Sequence, residues 1–491
     1  MSTPEELRAA IERFLASCRR PALLEPGEDL LELDGGNLDL ATRGSRLVLE
    51  AWDRTRNLAR RVTAIQAASP GRMELVVERF ARRQGRLFLM DLDRPAGYDA
   101  ERRSARLVFR ERFRQFLARQ YPGWTLAELS SDANLQHSLS PAYARAFLHH
   151  GQSGWAAIGA PETGDAGGIL SFGLIWLDYL RRREGRVTVE GLALFVPAGQ
   201  ERTTCLRLRY LDPAAARYEL FSYSPQGYVA RTDPDDVGNV DTSLETCCRP
   251  AAQPPGIERL LAVPGVESVI RHDGAASFRV HGLEFARASE DGLRFGLEEP
   301  VTGGERHLPE IERLARDLAR MRHPDSSGRA DPLWRRAPEA WLESQVRTHI
   351  ESIDATLRPA PVYSQVLAFA GGDRGVIDLL AADRTGRLAI LELKATADIH
   401  LPLQALDYWM RVRWHLERGE LAAQGYFPGV PLASAPPRLL LVSPALEFHP
   451  ATEAVLGYLA PLVAVERIGV GVEWRKGLDV MFRLQGAERP H

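Results

Sequence analysis

The residues best suited to chemistry lie in one stretch, GVIDLLAADRTGRLAILELKATADIHLPLQALDY, at positions 375–408. Its first part predicts two apolar strands that are interrupted by charge, at Asp378 in the first and at Glu392 and Lys394 in the second. A three-residue loop ending in a left-handed Gly386 would place Asp378 directly opposite Glu392. Because alternate residues of a strand point to the same face, Lys394 joins the two carboxylates there. We therefore expect two acids and an amine to converge on one point.

Such a group of charges is costly to bury between apolar strands unless a partner compensates it. A divalent metal ion would do so, and Mg²⁺ or Mn²⁺ prefers oxygen ligands of this kind. The use of lysine supports a special role: of 62 basic residues, only Lys394 and Lys476 are lysine. A compact ammonium differs chemically from a planar guanidinium. A lysine two residues after Glu392 is therefore unlike the other basic residues of this chain, and it favours a specific role over that of a solvated surface cation.

The elements around this stretch predict a mixed α/β domain over residues 331–491. The sequence PEAWLESQVRTHIESIDATL predicts one helix with an apolar stripe, begun by Pro338, and Glu343 adjoins that stripe. After the hairpin, HLPLQALDYWMRVRWHLERG predicts a helix with a basic flank. Strand, helix and strand patterns follow. The order α-β-β-β-α-β-α-β indicates a mixed sheet with helices on both sides.

This arrangement resembles the PD-(D/E)XK nuclease superfamily, which contains restriction endonucleases and RecB- and NucS-like nucleases. Its pattern is an acid on the first helix, an Asp that begins the central hairpin, Glu-x-Lys on the next strand, and often Gln-x-x-x-Tyr on the following helix. The matching residues are Glu343, Asp378, Glu392, Leu393, Lys394, Gln404 and Tyr408. The sequence departs from the pattern at Ile377, where the name has proline, and at 395–397, where Ala-Thr-Ala replaces the basic run of NucS-like nucleases.

The resemblance covers about a third of the chain and implies metal-dependent hydrolysis of phosphodiester bonds, with DNA as the expected substrate. The family pattern implies that Asp378 and Glu392 hold Mg²⁺ or Mn²⁺, with the Leu393 carbonyl as a further ligand. Glu343 would bind the same ion, a second ion or a metal-bound water. Repair, recombination and defence against foreign DNA are all compatible with this activity.

The remaining matched residues would act around the metal. Lys394 would orient the attacking water or stabilise the transition state. Gln404 and Tyr408, one helical turn apart, would support Lys394 or a phosphate, and Arg411 on the same face is a candidate phosphate contact. The alternative function is that of a non-catalytic nucleic-acid-binding or assembly protein that retains the nuclease fold.

Composition limits the other function classes. The net charge of −3 gives no general attraction to nucleic acid, so such binding must rest on local patches. The four cysteines have no C-x-x-C spacing and indicate neither a zinc site nor a disulfide framework. No apolar run approaches the roughly 18 residues that span a bilayer, and the N-terminus lacks a signal-peptide pattern. A cytoplasmic protein without membrane association is expected.

The whole chain is predicted to be α/β, in roughly two to four domains. The predicted segments are 1–100, a helix plus a β-rich part; 101–250, an α/β domain; 251–330, a β-hairpin and helix connector; and 331–491, the nuclease-like domain. The best linker is the proline-rich stretch 248–256, and SPAYARAFLHH at 140–150 predicts a helix. The N-terminal region is a candidate for substrate selection, or for contacts with a second copy or another protein.

The region around residues 154–183 has the same layout as the central stretch: an apolar strand, a polar connection and a helix containing Leu-Asp-Tyr. We therefore hypothesise a degenerate first copy of the fold, in which Gly159 and Pro161 stand where Glu392 and Lys394 stand. The other interpretation, a coincidence between two α/β segments, is at least as well supported by such short matches.

Overall fold

The computed structural model describes two compact units. The described residues are 3–25, 31–33, 37–43, 46–52, 57–69, 71–78, 84–91, 98–236, 242–247, 257–271, 274–290, 292–326, 331–370 and 373–490. Unit 1 comprises Met1–Gly238, Ala451–Ala460 and Glu488–His491, and unit 2 comprises Asn239–Pro450 and Pro461–Ala487. The linker predicted at 248–256 lies outside the described residues.

Unit 1 begins with a helix packed on an antiparallel sheet. Helix α1 (Pro4–Ser17) starts with a capping box, in which Thr3 and Glu6 each accept the other's backbone N–H. Its apolar face packs into the core of the sheet, whose strand order is β2-β1-β7-β6-β5-β4-β3. The strands are β1 (Pro21–Leu24), β2 (Leu31–Glu32), β3 (Leu38–Arg43), β4 (Arg46–Trp52), β5 (Asn57–Ser69), β6 (Arg72–Glu78) and β7 (Gln84–Asp91).

A mixed sheet follows in unit 1, with the order β13-β12-β11-β10-β9-β8. Its elements are α2 (Tyr98–Gln120), β8 (Thr125–Ser130), β9 (Ala144–His150), β10 (Ser153–Gly159), α3 (Ile169–Arg183), β11 (Thr188–Pro197), α4 (Arg202–Leu208), β12 (Arg217–Tyr223) and β13 (Val229–Thr232). Strands β10, β11 and β12 run parallel to one another, whereas β8, β9 and β13 pair antiparallel. Phenylalanines of α2 fill the core on one face, and α3 packs on β10 and β11.

The helix predicted at 140–150 is wrong, because these residues form strand β9 after a turn. Ser140 and Pro141 lie in that turn rather than at a helix start, and His149 and His150 end the strand at a hairpin. The strand pairs with neighbours on both sides and is buried along most of its length. A strand buried on both faces has no alternation of apolar and polar residues, so its apolar run resembles a helix in sequence.

Unit 2 also contains an antiparallel sheet. Its elements are α5 (Glu258–Leu261), β15 (Val266–Ile270), β16 (Ala276–Val280), β17 (Leu283–Ser289), β18 (Gly292–Phe295), β19 (Val301–Gly303), α6 (Leu308–Met321) and α7 (Pro332–Arg335). The strands follow one another in the sheet in chain order, and α6 packs its apolar face on them.

The mixed sheet of unit 2 has the order β14-β20-β21-β22-β23-β24-β25. Its elements are β14 (Thr242–Leu244), α8 (Pro338–Thr348), α9 (Ile350–Ile353), β20 (Tyr363–Ala370), β21 (Asp373–Ala382), β22 (Leu388–Leu393), α10 (Leu401–Glu417), α11 (Glu420–Ala423), β23 (Arg438–Pro444), β24 (Ala464–Val470) and β25 (Val480–Gln485). Helix α12 (Thr452–Leu456) lies between β23 and β24 in the chain. It is part of unit 1, where it packs on α3. Residues of α8, α9 and four strands form one core.

The single helix expected after Pro338 is divided into α8 and α9. His349 leaves the helical region at φ −123°, ψ 44°, and α9 ends at Ile353. The apolar stripe itself is confirmed as buried, because the break turns the second part onto the same core. The chain is thus mixed α/β, with helices on several sheets. Over the described ranges, no helix combines the length and the apolar character needed to cross a membrane.

We predict that Gly386→Ala destabilises unit 2 more than Gly419→Ala. Both glycines have positive φ, 86° and 69°, so an alanine at either site carries a backbone penalty of roughly 1 kcal/mol. A Cβ at Gly386 would also lie 2.0 Å from the Pro431 carbonyl oxygen, whereas a Cβ at Gly419 meets no atom within 4 Å. Urea unfolding should show the larger loss for Gly386→Ala, and equal losses would contradict this packing argument.

Candidate active site

The central hairpin of unit 2 brings Asp378 and Glu392 face to face. The ladder between β21 and β22 pairs Leu379 with Leu391, and the same register carries Asp378 opposite Glu392. Gly386 ends the loop with φ 86°. The predicted loop and register are therefore confirmed, and the two side chains share one face of the hairpin.

Desolvation and mutual repulsion disfavour the charged forms of these two carboxyl groups. Burial raises the pKa of Asp378, although the backbone N–H of Leu393 donates to its Oδ2 at 3.0 Å and opposes the shift. Burial and the nearby charge of Asp378 raise the pKa of Glu392 well above its usual range. The Oε2 of Glu392 has no hydrogen-bond partner among the described residues. Glu392 is buried and Asp378 is half-buried by accessible surface, with its carboxyl group desolvated. Two such acids side by side are stabilised by a proton or a cation between them.

Lys394 supplies part of the compensating charge. Its Nζ lies 3.5 Å from Glu392 Oε1 and 3.8 Å from Asp398 Oδ2. Burial would lower the pKa of Lys394, but the carboxylates of Glu392, Glu339 and Asp398 outweigh burial and raise it. The ammonium therefore stays charged. Its backbone N–H donates to the Val442 carbonyl at 3.1 Å, which fixes the residue at the end of the strand.

Helix α8 contributes two acids, one turn apart. Burial raises the pKa of Glu343 to about 7, while the charge of Arg279 opposes the shift. The distance from Arg279 Nη1 to Glu343 Oε1 is 4.0 Å. Desolvation raises the pKa of Glu339, and the opposing effect of the Lys394 charge is smaller. Glu339 is an exposed residue, however, so solvent screens much of this effect.

Gln365 connects Glu343 to the strand beside Asp378. Its Nε2 donates to Glu343 Oε2 at 3.1 Å. The pairing of β20 with β21 places Gln365 opposite Asp378, and its φ of 54° lies in the left-handed region. Such a conformation of a residue other than glycine carries strain and is concentrated at functional sites.

Helix α10 covers the other side of the site. Burial, followed by the charges of Glu392 and Asp378, raises the pKa of Tyr408, which therefore lies close to both acids. Gln404 is half-buried one turn earlier. Arg411 packs on Gly375, where a Cβ would lie 3.0 Å from the Arg411 Cδ, and its Nη1 donates to the Asp407 carbonyl at 3.0 Å. The absence of a side chain at position 375 leaves room for this guanidinium.

The donor set fits a hard divalent cation. Asp378 and Glu392 offer oxygen ligands, and the orphaned Oε2 of Glu392 marks where compensation is missing. In the part of the chain that the structure describes, no group of three His, Cys, Asp or Glu side chains is placed to hold a metal on its own. Glu343 is occupied by Gln365 and Arg279 in this state. Asp378 and Glu392 are therefore the two residues best placed to hold such a cation.

Four neighbours of the site were not identified from the sequence: Arg279, Glu339, Gln365 and Asp398. Helical spacing was a usable signal for Glu339, four residues before Glu343, because both then lie on one face of α8. Asp398 follows Lys394 by four residues but lies in a loop. Arg279 belongs to a different sheet, and Gln365 belongs to a strand whose sequence has no distinguishing pattern. The sequence therefore contains no indication that either residue lies at the site.

No protein-family model matches the chain, and no curated protein matches it with significant similarity.

We predict a pH-dependent gain in stability for Glu343→Gln. The pKa of Glu343 is raised from 4.5 to about 7, so the folded state favours the protonated acid. Its contribution is favourable below about pH 4.5 and is lost as the pH rises through about 7. In metal-free buffer at pH 8, the variant should be more stable than the wild type by roughly 1–3 kcal/mol, with little difference at pH 4.5.

Thermal unfolding at both pH values measures this difference. Glu351→Gln, which removes an exposed carboxylate from the neighbouring helix α9, controls for the loss of one negative charge. A gain of Glu343→Gln that is the same at both pH values would contradict the assignment of a raised pKa to this group.

Proposed function

We propose that this protein is a Mg²⁺- or Mn²⁺-dependent nuclease that hydrolyses phosphodiester bonds in DNA, with its catalytic centre in unit 2. The observation that carries the proposal is the register of the hairpin, which extends from Leu379 and Leu391 to place Asp378 opposite Glu392, with Lys394 Nζ 3.5 Å from Glu392. The fold in this proposal is restriction-endonuclease-like. The antiparallel hairpin β21–β22, the crossover helix α10 and the parallel strands β23 and β24 support it.

Asp378 and Glu392 would hold the ion, with the Leu393 carbonyl and Glu343 as further ligands. When bound, the ion would stabilise charge on the scissile phosphate and increase the acidity of a water molecule. The chain prepares this place by keeping Glu392 buried and Asp378 half-buried, in surroundings where electrostatic interactions are stronger than in water. The Leu393 N–H fixes Oδ2 of Asp378, and the side chain of Asp378 also interacts with that of Glu392.

Lys394 would act on the reacting groups themselves. Its ammonium remains protonated beside three carboxylates and has donors to spare after contacting Glu392 and Asp398. It can therefore hold the attacking water or donate to a phosphate oxygen as negative charge develops. Tyr408 on α10 is half-buried near both acids, and it would support a bound phosphate or Lys394.

Substrate contacts would rest on local charge, because the net charge of the chain is −3. Arg411 is a suitable phosphate contact, since it extends across Gly375 towards the hairpin that carries Asp378. The antiparallel sheets and unit 1 would serve substrate selection or partner contacts.

We predict that Lys394→Arg abolishes cleavage whereas Lys476→Arg does not. A guanidinium is larger and planar, so it cannot replace the ammonium beside Glu392. The expected loss in rate is about 100-fold or more, as for removal of one transition-state donor. Lys476 is a matched control because its Nζ contacts Asp325 at 2.8 Å and its side chain is 44% exposed. Cleavage of plasmid and oligonucleotide DNA with Mg²⁺ or Mn²⁺ measures both variants.

Asp378→Ala belongs in the same assay. It removes half of the carboxylate pair, so activity should disappear whether or not Lys394 is present. Indistinguishable behaviour of the wild type, Asp378→Ala and Lys394→Arg would reject catalysis. Retained binding of DNA under that outcome would favour the alternative, a non-catalytic nucleic-acid-binding protein.

A further inference from the structure

The mixed sheets of the two units share a series of six strands with the same order and directions. In unit 1 the chain order is β8, β9, β10, α3, β11, α4, β12, β13, and the strands of unit 2 follow the order β20, β21, β22, α10, α11, β23, β24, β25. The sheet of unit 2 has one further strand, β14, beside β20. Each series contains two antiparallel pairings, two parallel pairings and a final antiparallel pairing, in that order along the sheet. In each unit, an antiparallel sheet and one or more helices precede these six strands in the chain. A short sequence match can arise by coincidence, but the repetition of six strands in the same order and directions favours a structural duplication.

Backbone hydrogen bonds align the two hairpins residue by residue. At the end of β22, the N–H of Lys394 donates to Val442 on the next parallel strand at 3.1 Å. At the end of β10, the N–H of Ala160 donates to Phe195 on the next parallel strand at 2.9 Å. Ala160 therefore corresponds to Lys394. By the two-residue alternation of a strand, Ile158 then corresponds to Glu392.

The residue opposite Ile158 is Arg145, just as Asp378 is opposite Glu392. Both positions in unit 1 face the crossover helix α3. The Arg145 guanidinium carbon lies 5.8 Å from the Trp176 ring centre, and Ile158 lies against Gly173. The expected equivalence of Gly159 and Pro161 with Glu392 and Lys394 is wrong by one residue, because Gly159 faces α2, where a Cβ would lie 2.9 Å from Phe113.

Arg145 fills its position as a fixed cation. It is 3% exposed, and its guanidinium donates to the carbonyl of Ser140 and to that of Asp132, the latter at 2.5 Å. Burial lowers the pKa of Arg145 to about 10, so it is charged at neutral pH. The neighbouring acids do not rebuild a pair: Glu128 contacts Arg183 at 2.7 Å, and Asp132 is exposed. A buried guanidinium repels a metal ion from the place that an acid pair would offer it.

We propose that the mixed sheet of unit 1 is a hydrolytically silent counterpart of that in unit 2, so that the described part of the chain carries one centre and cleaves one DNA strand per binding event. This inference rests on the proposed function for its chemistry. Its structural part, the replacement of the acid pair by Arg145 and Ile158, stands on the pairing of the strands.

The test uses the full chain with a supercoiled plasmid in excess and with Mn²⁺. One centre per chain should produce open circles first, with linear DNA appearing only after they accumulate. Asp378→Asn should abolish both products. Formation of linear DNA together with open circles, or retention of about half of the cleavage by Asp378→Asn, would overturn the proposal.

Binding of Mn²⁺, measured by titration calorimetry, gives a readout that does not depend on cleavage. The double variant Asp378→Asn, Glu392→Gln should lose all saturable Mn²⁺ binding, while Arg145→Gln, or Ile158→Val if that variant does not fold, should keep it. Residual saturable binding in the double variant that is lost on changing Arg145 or Ile158 would overturn the inference alone. A wild type that neither cleaves DNA nor binds Mn²⁺ would overturn the proposed function and the inference together.

Discussion

The placement of two desolvated carboxyl groups opposite each other on one hairpin is the constraint on which the rest of unit 2 depends. Asp378 and Glu392 lie opposite each other in a region where neither is well solvated, and burial raises the pKa of each. A backbone N–H from Leu393 and the ammonium of Lys394 supply part of the compensation. The remainder must come from a proton or a cation, because removing two such charges from water costs several kcal/mol for each ion. A sheet that served stability alone would place apolar residues at both positions.

The surrounding elements keep this costly arrangement in one geometry. Gly386 fixes the loop and therefore the register, and a shift by one residue would turn both acids to the opposite face. Gln365, held at φ 54°, connects the neighbouring strand to Glu343. Arg279 reaches Glu343 from the antiparallel sheet of unit 2, whose Glu267 also forms an ion pair with Arg347 on α8. The antiparallel sheet thus orients the helix that carries the third acid, which gives it a part in the site beyond its own stability.

The sequence was sufficient where the determining interactions are local. The hairpin, its register and α10 follow from loop length, alternation and helical periodicity within one stretch, and the structure agrees on all three. It was insufficient for strand β9, where burial on both faces removes alternation, and for the break at His349. Arg279 and Gln365 reach the site only through tertiary pairing. The predicted equivalence of Gly159 with Glu392 was wrong by one residue. A comparison of residue types alone does not fix the pairing register, which decides the face of the sheet to which each side chain points.

The comparison between Arg145 and Asp378 isolates what the fold itself contributes. The same strand order, hairpin and crossover helix occur in both units, so this framework does not require a metal in order to form. In unit 1 the position is closed by a guanidinium bound to backbone carbonyls, which satisfies its hydrogen-bonding capacity internally. In unit 2 the acids leave an oxygen without a partner within the described residues. A proton shared by the two carboxyl groups, or a cation bound between them, would stabilise this arrangement. The chemistry proposed for unit 2 therefore depends on the charge at one pair of opposed positions, with the fold as its common support.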